Sequence, residues 1–344
     1  MTKQITIVGG GLAGLMLGIG LRRQEVPVAI FEAGHYPRHR VCGEFISGQG
    51  RLALASLNLE KKMFEAGARE AKAAAFFSRR TEGRAQPLPQ PALCLSRYKM
   101  DQLLAEEFRS LGGILAEGQR WREPFGEGVV RATGRRTQPT SKGWRWFGLK
   151  VHARNVSMAA DLEVHLLPQG YVGLCRLNGD VVNLCGLFRS RAAIPDLAQT
   201  WRTWMRGPEG SFLRARLKAA EFQEDSFCSV AGLPLTPQRA ASQRECCVGD
   251  AITMIAPLTG NGMSMAFESA ALAIAPLADY SRGTLPWPQV CQQTARGCDR
   301  RFRRRLRWSA GMQKVLFQEN AADALIWLGS RSNSLWRALF QRTR

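Results

Sequence analysis

The N-terminal segment alternates apolar runs and glycines in an order that few folds accept. Residues 5–8 form an apolar, β-branched run, glycines follow, and residues 12–19 place apolar side chains at helical spacing. A second apolar run covers residues 28–31 and is closed by Glu32. The change from an apolar run to helical periodicity and back predicts strand, turn, helix and strand. This order is typical of a parallel sheet covered by helices.

The glycines of the turn have the spacing G-x-G-x-x-G, with Gly9, Gly11 and Gly14. In this context the first permits a tight turn, the second lets the backbone approach a pyrophosphate, and the third lets helix and strand pack closely. The N-terminus of the helix would offer its free N–H groups to the phosphates. Glu32 is placed to accept hydrogen bonds from a ribose 2′-OH, and its charge disfavours the 2′-phosphate of NADP. The segment therefore predicts a dinucleotide site.

Length, hydropathy and cysteine usage narrow the class of protein. At 344 residues the chain predicts two closely packed domains, and it has no uninterrupted apolar run of membrane-spanning length. Its first residues lack the charged start, apolar middle and cleavage site of a signal peptide. Nine cysteines, an odd number without a C-x-x-C pair, indicate free thiols rather than disulfides or zinc ligands. We therefore expect a cytoplasmic protein and predict no metal site.

The charge balance is strongly basic. Lysine and arginine number 48 against 28 aspartates and glutamates, a net charge of +20. Such a field attracts polyanions, among them nucleic acid, an anionic membrane, an acidic carrier protein and phosphorylated ligands. The excess peaks in residues 296–308, where seven arginines accompany one aspartate, and this segment is either a solvated helical face or an anionic contact surface. Aromatic residues do not alternate with basic ones as in a nucleic-acid groove, so nucleic acid is not the expected partner.

A second glycine-rich segment lies far from the first, at residues 245–275. Its sequence, ECCVGDAITMIAPLTGNGMSMAFESAALAIA, resembles the second flavin motif of the FAD-dependent family that includes p-hydroxybenzoate hydroxylase, flavin halogenases and geranylgeranyl reductases. The resemblance implies that Asp250 binds the ribityl chain of FAD and that Pro257 and the turn 260–263 bring backbone N–H groups to the pyrimidine edge of the flavin. The helix that follows would stabilise negative charge on the reduced ring through its N-terminal dipole.

Two shorter segments extend the resemblance. Arg97, Asp101 and Leu104 match the family pattern R-x-x-x-D-x-x-L, in which the arginine lies near the phosphates and the ribityl chain. Residues 37–47 (PRHRVCGEFIS) resemble the C-G-E segment of geranylgeranyl-reductase-like members, where this loop runs beside the flavin. The thiol of Cys42 is either inert or redox-active, and we favour the inert interpretation because a reactive thiol needs a lowered pKa.

The resemblance assigns FAD binding to a set of residues from all four segments. They are Gly9, Gly11, Leu12, Ala13, Gly14, Glu32, Ala33, Arg38, Cys42, Gly43, Arg97, Asp250, Pro257, Gly260, Asn261, Gly262 and Met263. The chemistry would belong to FAD, so no catalytic residue is assigned, and Cys42, Glu44 and His152 are weak candidates.

Two departures from the family pattern bear on the reaction. The Asp-Gly pair that relatives carry near the end of the middle strand is Thr133-Gly134 here, so that carboxylate contact is missing. Trp144 and Trp146 occur without the Ile-Pro that completes the halogenase motif W-x-W-x-I-P. We therefore do not expect halogenation to be the reaction.

The resemblance implies an α/β fold with a Rossmann-like FAD-binding domain, three-layered around a mostly parallel sheet. An antiparallel β-sheet domain for the substrate is inserted in it, and helices follow at the C-terminus. The first domain is assigned residues 1–70, 96–140 and 228–285, the second 71–95 and 141–227, and the C-terminal helical region 286–344. Asn178-Gly179, between two apolar runs, predicts a hairpin in the second domain.

Apolar and polar side chains alternate along residues 149–154 and 162–166, so each of these strands has two unlike faces. If the apolar faces cover the flavin, the substrate pocket is apolar and His152 and His165 point to solvent, which is the arrangement we expect. If the sheet is reversed, the two histidines become candidate acids or bases. The C-terminal region, basic and rich in aromatic residues, is either a helical cap over this domain or a contact surface for an anionic bilayer.

The function that follows is an FAD-dependent oxidoreductase reduced by transiently bound NAD(P)H. We favour a monooxygenase that hydroxylates an apolar aromatic or polyketide-like substrate, free or bound to a carrier protein. The C-G-E segment favours the alternative, reduction of an alkene in a prenyl or lipid substrate, and a flavoprotein acting on RNA is a minor alternative. No obligate protein partner is evident, and the expected location is the cytoplasm, with or without peripheral contact at the inner face of the membrane.

Overall fold

The described residues form two β-sheets and ten α-helices, together with short 3-10 turns. The computed structural model describes residues 2–138, 140, 143–192, 194 and 196–342. The strands are β1 (Ile5–Val8), β2 (Val28–Phe31), β3 (Phe45–Ile46), β4 (Arg69–Phe77), β5 (Gln86–Cys94), β6 (Ile114–Ala116), β7 (Val129–Arg131), β8 (Arg145–Arg154), β9 (Leu162–Leu167), β10 (Gly170–Arg176), β11 (Val182–Ser190), β12 (Glu221–Ala231) and β13 (Cys246–Cys247). The helices are α1 (Leu12–Arg22), α2 (Gln49–Ser56), α3 (Glu60–Glu65), α4 (Arg97–Ser110), α5 (Leu197–Arg206), α6 (Phe212–Arg216), α7 (Gly262–Ser281), α8 (Trp287–Leu316), α9 (Glu319–Arg331) and α10 (Asn333–Arg342).

The first sheet has five parallel strands in the order β13-β7-β1-β2-β6. Helix α1 packs on it and also contacts α4 and α7. Because neighbours cover α1 on every side, it is apolar all round rather than amphipathic, and ten of its eleven residues are buried. Gly18 and Gly20 leave the room that Phe108 and Ile274 fill. The predicted Rossmann-like order of strand, helix and strand is confirmed.

The second sheet has eight strands in the order β12-β8-β11-β10-β9-β4-β5-β3. Its neighbouring strands are antiparallel, with the exception of β4 and β9. Strands β10 and β11 form the hairpin predicted at Asn178-Gly179, where Gly179 has φ +68° in the left-handed region. Strands β4 and β5, which precede α4 in the chain, belong to this sheet. The α/β fold class is therefore the predicted one, and the domain boundaries stay a prediction.

The apolar face of β8 packs against α5 rather than facing the glycine-rich motifs, where the flavin was expected. Leu149 and Val151 form one buried cluster with Trp201 and Met205 of α5. This helix presents its tryptophan and methionine at helical spacing and buries the apolar side of the sheet. The sheet is therefore turned the opposite way from the orientation we expected for β8.

The polar face of β8 is buried as a consequence. Lys150 is fully buried and His152 is 6% exposed, and both face the loop that precedes β3. His165, on β9, is 2% exposed and stacks on Phe77 with ring centroids 4.5 Å apart. The expectation that His152 and His165 point to solvent is wrong, because helices and loops cover both faces of the sheet.

The C-terminal helices extend from the first sheet to the second. Helix α8 packs along α7 and contacts β13, while α9 contacts β4 and α10 contacts β5. Helix α10 has no buried residue, although its aromatic side chains lie against the second sheet. Among the described residues, no helix has both the length and the apolarity that are needed to cross a bilayer.

Candidate functional site

The glycine-rich turn after β1 leaves open space in which a phosphate group fits. Gly9 has φ +109°, in the left-handed region, and a Cβ there would collide with the backbone O of Ala132. A Cβ on Gly14 would collide with the backbone O of Gly9, so helix and strand approach as closely as glycine allows. At Gly11, by contrast, an added Cβ would meet nothing within 4 Å. This geometry suits the three roles that the spacing predicts, and Leu12 and Ala13 behind the turn are buried.

Glu32, directly after β2, is held beside this turn. Its carboxylate accepts hydrogen bonds from Gly10 N at 2.8 Å, Gly34 N at 2.8 Å and Arg38 Nη1 at 2.7 Å. Burial opposes the ionisation of Glu32, but the hydrogen bonds and the charge of Arg38 outweigh it and lower the pKa to about 2. Ala33 follows as an exposed residue. Glu32 is therefore a fixed anion at the position where the spacing predicts a ribose hydroxyl.

Arginine side chains line the space between the two glycine-rich motifs. Arg38 has its Nε and Nη2 buried without a hydrogen-bond partner among the described residues, and Arg135 has its Nε in the same condition. A buried donor without an acceptor costs folding free energy, so such groups indicate a missing acceptor. Arg40, an exposed residue, lies close enough to Arg38 and Arg97 for their charges to act on it. This set of donors fits the charge and the oxygens of a pyrophosphate.

The second glycine-rich motif lies directly against the first. Gly249, with φ +64°, packs so closely on α1 that an added Cβ would lie 2.8 Å from the Cβ of Ala13. Burial raises the pKa of the next residue, Asp250, to about 6, against the opposing charges of Arg135 and Arg97. A buried carboxyl group needs hydrogen-bond partners, and a polyhydroxyl chain such as ribityl supplies them. The two motifs therefore form one continuous site.

The turn before α7 forms the far end of this site. Residues 257–259 form a short 3-10 turn that begins at Pro257, and Gly260 follows in the left-handed region with φ +64°. The ring of Phe45 occupies the space that a Cβ on Gly260 would need. At Gly262, where α7 begins, an added Cβ would meet nothing within 4 Å, so the start of this helix is open to a ligand. The remaining predicted residues of the turn, Asn261 and Met263, are buried.

Glu44 of the C-G-E loop is fully buried among groups that can exchange protons. Its carboxylate accepts hydrogen bonds from Arg97 N at 2.9 Å and His152 Nε2 at 2.7 Å, and Lys150 Nζ lies 3.6 Å away. Burial opposes the ionisation of Glu44, but the His152 hydrogen bond and the Lys150 charge hold its pKa below the usual range. Burial and the charge of Lys150 lower the pKa of His39 to about 4. The neutral His39 ring therefore accepts a hydrogen bond at Nδ1 from Lys150 Nζ, 2.9 Å away.

Arg97 and Cys42 lie between the two motifs. The guanidinium of Arg97 forms a bidentate ion pair with Asp101, with N–O distances of 2.7 and 2.9 Å. Burial raises the pKa of the Cys42 thiol, despite the nearby charge of Arg97. A thiol that stays protonated agrees with the inert interpretation. The backbone O of Cys42 accepts a hydrogen bond from Asn183 Nδ2 at 2.9 Å, which ties the loop to the second sheet.

An apolar cavity of about 180 Å³ lies between the second sheet and helices α8 to α10. Its walls are mainly aliphatic and aromatic, and they include Phe76, Tyr171, Met312, Ile326 and Trp336. Its inner end is formed by Gly43 and Phe45 of the C-G-E loop and by the turn 257–259. The cavity therefore reaches the place where the sequence resemblance puts the flavin ring.

Several residues of the site were not assigned from the sequence. His39 and Arg40 stand inside the predicted C-G-E segment, which was a usable signal for both. Lys150 belongs to the polar face of β8, so its role depended on the orientation of the sheet. Arg135 follows the Thr133-Gly134 departure, and only the folded chain shows that its charge acts on Asp250.

The comparisons with known proteins bear on the fold. No family model and no curated protein sequence matches the chain. Among solved structures, the flavin-dependent brominase Bmp2 matches with a TM-score of 0.76 and 17% identity over 99% of this chain and 93% of that chain. Halogenase PltM matches with a TM-score of 0.75 and 14% identity over 99% and 83%. PqsL of P. aeruginosa, in complex with 2-aminobenzoylacetate, matches with a TM-score of 0.66 and 16% identity over 98% and 100%. The chain therefore has the fold of flavin-dependent halogenases and of PqsL.

Proposed function

We propose that this chain is an FAD-dependent oxidoreductase. The fold supports the proposal, and so do the two glycine-rich motifs that meet in one site. In this site the turn after β1 and Arg38 would hold the pyrophosphate, Glu32 the adenosine ribose, Asp250 the ribityl chain and the start of α7 the flavin ring. When bound, FAD would take a hydride from transiently bound NAD(P)H and would react with O2 once reduced.

The reaction that we favour is hydroxylation of an apolar aromatic or polyketide-like substrate. The apolar cavity beside the turn 257–259 is the observation that carries this choice. An apolar cavity of about 150 Å³ is enough to hold benzene. The volume of about 180 Å³ therefore suits an aromatic ring system of modest size and is small for a long prenyl chain. Its apolar walls would exclude water from the reacting ring.

The polar cluster at Glu44 would assist this reaction from the inner end of the cavity. Cys185 lines the cavity and is paired across the strands with Lys150, so the ammonium group lies close behind the cavity wall. A positive charge at this position favours the ionised form of a bound phenol. An ionised phenol is a more electron-rich ring, which is what hydroxylation requires. His152 would then accept the displaced proton, and the Glu44 carboxylate, 2.7 Å from its Nε2, would stabilise the resulting imidazolium.

The test measures the fate of oxygen. Purified protein is given FAD, NADH or NADPH and ¹⁸O₂, with 2-naphthol or 2-aminobenzoylacetate as trial substrates, and the products are analysed by mass spectrometry. We expect one labelled oxygen atom in the product. Peroxide without product for every phenol tried, together with anaerobic reduction of an allylic alkene, would favour the alkene reductase instead. A protein that stays colourless after incubation with FAD would contradict the flavoprotein proposal itself.

Halogenation is the second candidate, because the similar solved structures include a brominase and a halogenase. The incomplete W-x-W-x-I-P motif argues against it. The same assay distinguishes the two reactions when bromide or chloride is added. A brominated or chlorinated ring without labelled oxygen would replace the hydroxylase proposal by a halogenase.

We propose that the substrate is a hydrophobic small molecule, free or presented by a carrier protein. Trp327 and Leu328 of α9 are 50% and 47% exposed, and the Arg331 guanidinium lies over the Trp327 ring. Exposed aromatic and cationic groups of this kind suit peripheral contact with an anionic membrane. Loss of flotation with anionic vesicles in a W327A variant would support this contact, and absence of flotation in the wild type would exclude it.

A further inference from the structure

A second cavity lies beside α10 and is lined by arginines. Its walls include Arg300, Arg301, Arg304 and Arg305 of α8 and Arg342 of α10. The four arginines of α8 recur at the spacing of one helical face, together with Gly297, which contributes no side chain. The cavity is separate from the site described above, and neither the fold nor the proposed reaction uses it.

Carboxylates compensate only part of this charge. Glu268 of α7 pairs with Arg305 Nη1 at 2.6 Å and with Arg301 Nε at 2.8 Å. No carboxylate of the described residues forms an ion pair with Arg300, Arg304 or Arg342 within 4.0 Å. Five guanidinium groups thus share a single carboxylate.

The aspartate of the same segment points elsewhere. Asp299 accepts hydrogen bonds from Ala240 N at 2.7 Å and Ala241 N at 3.2 Å, so it caps a loop on another side of α8. It therefore does not neutralise the arginine-lined cavity. Four of the seven arginines in residues 296–308 line this one face of the folded helix.

Arg305 shows that the cavity lacks an acceptor. This side chain is 4% exposed, and its Nε is buried without a hydrogen-bond partner among the described residues. Like charges held within a few ångströms repel each other, and a bound anion would relieve this repulsion. Arginine also matches the oxygens of a phosphate group two at a time, which a lysine cannot do.

We propose that the arginine-lined cavity binds a ligand with two or more phosphoryl groups. Three arginines without a carboxylate partner require more than the charge of a single phosphate monoester, which is near −2 at neutral pH. The ligand would be a soluble diphosphate or polyphosphate, or the diphosphate headgroup of a lipid. The shared chemistry is the multivalent phosphate, and the two sources are separated by experiment.

Helix α10 connects this cavity to the apolar one. Trp336, Leu339 and Phe340 line the apolar cavity, whereas Ala338 and Arg342, with Gln341, line the arginine-lined cavity. Helix α10 has no fully buried residue, and its partly buried Trp336 and Phe340 hold it on the second sheet. A phosphate ligand that contacts Arg342 would therefore stabilise α10 in its position over the apolar cavity.

The test is a calorimetric titration of the full-length protein with inorganic pyrophosphate at constant ionic strength. The protein is first saturated with FAD, so that the proposed dinucleotide site is filled. The test variant is R300Q/R304Q, and the matched control is R303Q/R307Q, which removes the same charge from exposed positions of the same helix. We expect the test variant to bind pyrophosphate about tenfold more weakly or worse, and the control to stay within about twofold of the wild type.

If both variants bind pyrophosphate equally more weakly than the wild type, net charge alone explains the effect and the proposal is overturned. Absence of pyrophosphate binding in the wild type would also overturn it. Hydrogen exchange gives a second readout: pyrophosphate should protect the amides of residues 333–342 in the wild type and not in R300Q/R304Q. If the wild type and R303Q/R307Q float with vesicles that contain a diphosphate lipid and R300Q/R304Q does not, the ligand is the lipid headgroup. If the wild type binds pyrophosphate but does not float, the ligand is a soluble diphosphate or polyphosphate. If the protein does not take up FAD, the protection of residues 333–342 still reports on the arginine-lined cavity by itself.

Discussion

At the scale of single residues, the site contains carboxyl groups of opposite character. Glu32 is an anion held by two amides and by Arg38, and its pKa is lowered to about 2. Burial raises the pKa of Asp250 to about 6. Because a shifted pKa couples protonation to folding, the two residues should give the stability of the protein opposite pH dependences.

Replacement of Glu32 by Gln tests the lowered pKa. The stabilisation from Glu32 is present above its ordinary pKa of 4.5 and is lost as the pH falls towards 2. Between about pH 6 and about pH 3, we expect the wild type to lose about 2 kcal/mol more free energy of unfolding than E32Q. Urea denaturation followed by circular dichroism measures this difference. The exposed E123Q variant should follow the wild type, and an E32Q profile parallel to the wild type would contradict the assignment.

Replacement of Asp250 by Asn tests the raised pKa. The cost of burying the ionised group builds up as the pH rises from the ordinary pKa of 3.8 to about 6 and is complete above that value. We expect the D250N apoprotein to be more stable than the wild type at about pH 8, by about 1 to 3 kcal/mol, and to bind FAD more weakly. Chemical denaturation and flavin fluorescence titration give the two readouts. D180N, at an exposed ion pair, is the control, and a D250N protein that is less stable with unchanged FAD affinity would refute this account.

At the scale of elements, the start of α1 distinguishes two uses of glycine. We expect G14A to lose about 3 kcal/mol of stability or more, because the added Cβ collides with the backbone O of Gly9. G11A should stay within about 1 kcal/mol of the wild type, because its Cβ enters open space. The same methyl group would occupy the phosphate position, so FAD affinity in G11A should fall about tenfold or more. Thermal unfolding and FAD titration separate the two variants, and similar stability losses in both would show that the turn is not built as described.

Sequence patterns predicted those elements that are determined by residues close together in the chain. The strand, turn and helix from Ile5 to Arg22 and the hairpin at Asn178-Gly179 follow from short-range sequence signals. The direction of β8 could not be predicted from its alternation, since either face can be buried. The helix α5 supplies the missing information. Its Trp201 and Met205 are four residues apart, so they form an apolar stripe that packs on the apolar face of the sheet. An amphipathic helix between strands was therefore a signal for which face the sheet presents.

The same limit applies to the candidate site. Resemblance placed Asp250 and the turn before α7 near the flavin, because those residues carry a motif. Arg135 and Lys150 have no motif. Arg135 comes close to Asp250 because β7 pairs with β13, and Lys150 meets Glu44 because the C-G-E loop lies against the polar face of β8. Charges brought together by tertiary contacts are the part of a site that a single sequence does not show.

At the scale of the whole molecule, α10 can be removed without removing a fully buried residue. A chain that ends after Ser332 should unfold within a few degrees of the full-length protein, because α10 has no buried residue. Its apolar cavity would lose the wall that contains Trp336, Leu339 and Phe340. We expect affinity for 2-naphthol to fall about fivefold or more, as measured by calorimetry.

Two variants within α10 provide the controls for this truncation. Trp336 lines the cavity and donates a hydrogen bond to the backbone O of Pro87 at 2.9 Å, whereas Arg337 is exposed. W336A should reproduce much of the loss of 2-naphthol affinity, and R337Q should not. Unchanged affinity in the truncated chain would show that α10 does not close the cavity.

The packing of α7 on α1 has a consequence for biosynthesis. Helix α1 is apolar on all sides, and its cover, α7, begins about 240 residues after α1 ends. At cellular rates of translation this interval lasts roughly 10 to 50 seconds, during which the side of α1 that α7 covers stays exposed. Gly249 and Ala13 also touch only after both segments have left the ribosome. The N-terminal half therefore stays incompletely covered until synthesis has passed Ser281, and the proposed FAD site, which brings Gly249 beside α1, is complete only then.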